Sequence, residues 1–166
     1  SNYYEVLNYL RYESSNKLVE VMKKKASTVL LNEIIQQANQ NNYDNALSKL
    51  NRLRNQTGVH YEIANQLNDC EKQIKKRKAH QKMEEIVNYI KNGRPNDARN
   101  KLNDLKWYPS ELNSEIDELE NGILFTEIKN LNEQEKFKEA LDKIKTLENK
   151  SNLSYDFKIR LNRINQ

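Results

Sequence analysis

The chain has 166 residues, with 28 basic and 24 acidic side chains, a net charge of +4 and an apolar content of 36%. That length can bury a domain-sized core, and so sparse an apolar content suits thin layers in which each helix buries a narrow stripe. Three glycines and two prolines exclude a Gly-rich phosphate loop, no stretch alternates long enough for a sheet, and the lone Cys70 excludes an intrachain disulfide.

The first 25 residues admit two readings. In one, residues 1–25 form a degenerate hairpin with Tyr3 and Leu7 upstream of Tyr12, Ser15, Val19 and Met22; in the other, one long helix runs through residues 15–40 with Lys23, Lys24 and Lys25 solvated along it. Tyr3, Tyr4, Tyr9 and Tyr12 either pack inside that hairpin or form an aromatic contact surface.

From residue 27 the pattern sharpens into hairpins, the first over 27–55. Leu31, Ile34, Ile35 and Ala38 stripe one helix, Gln40-Asn41-Asn42 reads as a turn, and Ala46, Leu47, Leu50 and Leu53 stripe the next helix. A second hairpin covers 80–106, where Asn92-Gly93 predicts a C-terminal stop. Pro95 then opens the following helix, where its missing N–H costs nothing. Trp107 and Tyr108 break the chain as a lid over the hydrophobic edge, and Ser110 is expected as the N-cap of the next helix. The third hairpin is 122–148, its first helix reaching back to residue 111. A capping helix over 151–165, with Leu153, Phe157, Leu161 and Ile164 on one side, is expected to close the stack.

The three hairpins share one register. Tyr43, Pro95 and Phe137 occupy equivalent positions; three residues on stand Ala46, Ala98 and Ala140, and ten residues on stand Leu53, Leu105 and Leu147. Nine residues earlier stand Ile34, Ile86 and Ile128, and twelve earlier Leu31, Met83 and Phe125. A pattern held at so many offsets is an internal repeat of helix–turn–helix units. The segments Asn42-Tyr43-Asp44-Asn45-Ala46-Leu47 and Lys136-Phe137-Lys138-Glu139-Ala140-Leu141 resemble the turn and second-helix start of tetratricopeptide repeats. The steps between equivalent positions, 52 and 42 residues, are longer than that family's 34-residue unit. The resemblance implies a right-handed superhelix whose concave face binds peptides.

Catalytic constellations are not evident. His60, Cys70 and His80 stand ten residues apart, so on a continuous helix they point in different directions and cannot converge on a metal or form a nucleophile–base pair. The chain is read as non-enzymatic and without a cofactor. The densest charge feature is Lys72, Lys75, Lys76, Arg77, Lys78 and Lys82, a stretch with no acid. Such a cluster suits nucleic acid or another anionic surface, although no aromatic residue interleaves it for base stacking. Alternatively, the 42-residue offset sets Lys75, Lys76 and Lys78 against Asp117, Glu118 and Glu120, as a charge ladder between neighbouring helices.

The expectation is therefore an all-α single domain over 1–166, built as an α-α solenoid of stacked hairpins with a C-terminal capping helix. Its function is read as protein–protein interaction or scaffolding, with a groove of Leu31, Ile35, Met83, Val87, Phe125 and Lys129 presented to a peptide or partner protein. Nucleic-acid or anionic-surface binding through 72–82 is the alternative. No apolar run approaches the ~20 residues of a membrane span and no signal-peptide pattern opens the chain. The expected location is cytoplasmic, or that of a soluble piece of a longer or membrane-anchored protein.

Overall fold

The computed structural model describes residues 2–13, 16–105 and 109–148. Among them are seven α-helices and no strand: α1 Tyr3–Leu10, α2 Lys17–Asn39, α3 Tyr43–Arg54, α4 Tyr61–Lys91, α5 Pro95–Asn103, α6 Asn113–Glu133 and α7 Phe137–Glu148. The protein is all-α. It divides into two compact units after Lys78, within α4. Trp107, Tyr108 and the expected capping helix over 151–165 lie outside the described residues.

The same reversal ends α2, α4 and α6. Asn41, Gly93 and Glu135 adopt left-handed backbone, with φ of 61°, 67° and 59°. In each turn the next N–H reaches back five residues: Asn42 to Gln37 O, Arg94 to Tyr89 O and Lys136 to Leu131 O, at 3.0, 2.9 and 2.9 Å. The left-handed residue itself donates three residues back, to Ala38 O, Ile90 O and Asn132 O. This pair of bonds is the Schellman motif, which satisfies carbonyls left orphaned at a helix end. Asn41 is held further by Tyr43, whose hydroxyl donates to Asn41 Oδ1 at 2.9 Å.

Each reversal returns the chain so that the equivalent side chains meet in the core. Ile34, Ile86 and Ile128 are fully buried, as are Ala46 and Ala98, while Ala140 is 5% exposed. Leu53, Leu105 and Leu147 close the same layers. A small alanine at this position lets the paired helices approach closely. Phe137 departs from the pattern: it is 58% exposed where Tyr43 is 8% exposed. Ser110, expected as an N-cap, instead begins a 3₁₀ turn, Ser110–Leu112, that leads into α6 and makes no side-chain cap bond.

In the unit ending at Lys78, the second of the two readings of the N-terminal stretch is the closer one. α2 is continuous from Lys17, with Asn16 Oδ1 accepting from Val19 N at 2.9 Å as its N-cap. Of the positions set in a degenerate hairpin, Tyr12 and Met22 are 76% and 43% exposed, whereas Leu7 and Val19 are buried. The apolar face of α1 (Tyr4, Leu7 and Leu10) is buried instead. Residues 55–60 return the chain to α1 and α2. Gln56 Nε2 donates to Asn8 Oδ1 at 2.6 Å, and the buried His60 N–H donates to Ser27 Oγ at 3.1 Å. α2 and α4 contact in the same sense along both axes, through Lys24–Glu62 at 2.6 Å and Arg77 Nη1 to Asn39 Oδ1 at 2.6 Å.

Gly58 is forced at this junction. Its φ is +82°, and a Cβ would stand 2.7 Å from Leu7 O. Gly58→Ala is therefore expected to destabilise this unit by about 1–3 kcal/mol, through both backbone strain and the clash. The opposite sign is expected for Glu135→Gly, which relieves a non-glycine residue of left-handed geometry and adds about 0.5–1 kcal/mol. Shifts of the urea midpoint check both.

In the unit that begins at Ala79, the C-terminal half of α4 and α6 also contact in the same sense. His80 Nε2 lies 3.4 Å from Glu115 Oε2, and Asn130 Nδ2 donates to Gly93 O at 3.0 Å. Between these points Gly122 admits Ile90: a Cβ on Gly122 would stand 3.3 Å from Ile90 Cδ1. Replacing Gly122 by Ala therefore sets a helix-propensity gain of about 1 kcal/mol against a contact that Ile90 must yield.

Candidate functional site

α4 and α6 border a concavity in the unit that begins at Ala79. It is an open cleft of about 420 Å³ with an apolar floor of Met83, Val87, Ile90 and Leu119. It runs on into a space of about 430 Å³ bordered by His80, Glu84 and Asn88. On α4, Met83, Val87 and Ile90 recur at helical spacing, so one stripe both packs the core and faces the cleft. Among the described residues the charged rim is mainly acidic: Glu84, Glu115 and Glu118 stand against a single Lys91. Glu115 also faces His80.

The groove expected from sequence is distributed differently. Met83 and Val87 line this cleft. Leu31 is 5% exposed and belongs to the core of the other unit, while Ile35 stands exposed on α2. Phe125 is half-buried, and Lys129 is exposed and pairs with Glu133 at 3.7 Å. Reasoning from sequence missed Ile90, Leu119, Glu115 and Glu118. The signal for Ile90 was Gly122, a glycine with no turn to make inside α6.

The basic stretch on α4 is in part neutralised locally. Lys75 pairs with Glu71 at 2.5 Å, Lys78 pairs with Asp44, and Arg77 donates to Asn39. Lys75 and Lys78 thus have acids to pair with inside their own unit. The contacts His80–Glu115 and Gly93–Asn130 have offsets of 35 and 37, so α6 is slipped along α4 by about one and a half to two turns. Lys76 stands between Lys75 and Arg77, and Lys82 is half-buried.

Each soft ligand has a local structural setting. His60 is buried and begins α4, its carbonyl accepting from Ile63 N and Ala64 N, and its Nδ1 from Glu62 N at 3.3 Å. Cys70 is half-buried against the core of the unit ending at Lys78, and burial pushes its thiol pKa up. His80 lies at the cleft mouth. Among the described residues, no group of three or more His, Cys, Asp and Glu side chains could hold a metal ion, and no helix is long and apolar enough to cross a membrane.

A carboxylate clasp behind the cleft holds three helices together. Glu127 of α6 accepts from Arg99 of α5 through Nε and Nη2, at 3.0 and 2.6 Å, and from Lys143 of α7 at 2.6 Å. Its side chain is 11% exposed. Burial pushes the Glu127 carboxyl up, but the hydrogen bonds from Lys143 and Arg99 outweigh it and hold the pKa below the ordinary carboxylate value. A depressed folded pKa contributes stability that is fully present above the unfolded value and is lost as pH falls through the folded one. Glu127→Gln is therefore expected to destabilise the protein by about 1–3 kcal/mol at neutral pH. It should also flatten the acid limb of a melting-temperature profile taken below the normal carboxylate range.

No protein-family model, curated protein or solved structure matches this chain. Its function must therefore be argued from the site itself.

Proposed function

We propose that the chain is a non-catalytic interaction module. In this reading it is a stack of helical hairpins, similar in logic to tetratricopeptide repeats, that presents a groove to a segment of a partner protein. The observation that carries the reading is the open apolar cleft between α4 and α6. Two helices running in the same sense leave a trough between them that a third element can fill. Small molecules need enclosure of most of their surface, whereas an amphipathic segment supplies its own cover when it lies along such a trough. The repeated reversal turn supports the stacking, because each hairpin enters in the same geometry.

Panning a displayed library of random peptides against the whole chain tests this. The selected peptides are expected to compete with one another. They should lose about ten-fold or more in affinity on Val87→Asp, measured well below that variant's own melting transition, and be indifferent to Leu18→Asp on the exposed face of α2. Selected peptides that ignore Val87→Asp would refute the groove. Binding of duplex DNA that is abolished by changing Lys75, Lys76 and Lys78 together to Glu would instead establish the basic stretch as the functional surface.

A further inference from the structure

We infer that the cleft between α4 and α6 receives a cationic protein segment, one that inserts an aliphatic anchor between flanking lysines or arginines. The inference rests on the interaction-module reading and names the partner's chemistry. The floor is hydrocarbon and thioether: Met83, Val87, Ile90 and Leu119. A methionine in such a floor adapts its shape to the entering side chain. The rim decides the partner's charge. Among the described residues, Glu84, Glu115 and Glu118 border the cleft, and Lys91 is the one lysine or arginine beside them. From Ser110 to Ile128 the chain carries no lysine or arginine at all.

An acidic segment or a nucleic-acid backbone would meet repulsion along this edge, and a neutral one would leave its potential unused. A basic segment gains complementarity on both sides of its anchor, which steers encounter and excludes wrong partners.

The library-selected peptides provide the test. Those that depend on Val87 are expected to be rich in Lys and Arg around a Leu, Ile or Met. Their affinity is expected to fall about ten-fold from low to high salt. The double change Glu115→Lys and Glu118→Lys, both on exposed positions, is expected to weaken these peptides by about ten-fold and to reverse the preference toward acidic flanks. Neutral or acidic winners that still depend on Val87 would overturn the cationic partner while leaving the groove standing. Basic winners unaffected by the Glu115 and Glu118 changes would do the same. If no selected peptide depends on Val87, both the partner and the groove fall together.

Discussion

Three left-handed residues set the course of the chain. Asn41, Gly93 and Glu135 each end a long helix in the same conformation, with the same two backbone bonds. The geometry of such a turn is nearly fixed. The first bonded residue of each returning helix is therefore always an alanine, Ala46, Ala98 or Ala140, and it always arrives where a branched isoleucine waits nine residues before the equivalent aromatic position. Apolar burial supplies the driving force. The turn decides which apolar residues are brought together, and neither suffices alone.

The two units solve the remaining problem, tying hairpins to their neighbours, by different chemistry. The first sets interhelical ion pairs such as Lys24–Glu62 beside neutral contacts around residues 55–60, where Gly58 approaches the backbone of Leu7 and Ser27 satisfies a buried N–H of His60. The second uses a shared anion, with Glu127 serving Arg99 and Lys143 at once. Most other ion pairs among the described residues are exposed at one or both partners, and such pairs contribute about 0–1 kcal/mol each. Glu127 differs because burial raises its stake: with both cations present the carboxylate is well satisfied, and with either missing it is left short of a partner. The clasp sits behind the cleft, so it also helps fix α6, from which Glu115, Glu118 and Leu119 project.

Helical class, the three reversals and the isoleucine, alanine and leucine layers were legible because they follow from periods and turn chemistry that are local in sequence. Gly93 announced its turn by residue type, and Asn41 lay in an evident polar turn. Glu135 could be placed in its turn only through the repeat register, since glutamate carries no such signal. The slip of α6 along α4 was not legible. It is set by contacts such as Gly122 with Ile90 and His80 with Glu115, which no local pattern encodes. Leu31 and Ile35 are one helical turn apart, yet one is core and the other exposed, because the edge of a buried stripe depends on what packs beside it. The short α1 was hidden by its tyrosines, which read equally well as core or surface.

Cys70, the single thiol of the chain, sits on α4 half-buried against the core of its unit. Burial keeps it in the protonated, poorly nucleophilic form. Alkylating reagents at neutral pH should then modify it chiefly through transient openings of the surrounding helices, so the labelling rate becomes a clock for local unfolding. The molecule thus carries, without any added probe, a chemical gauge of how often its first half breathes.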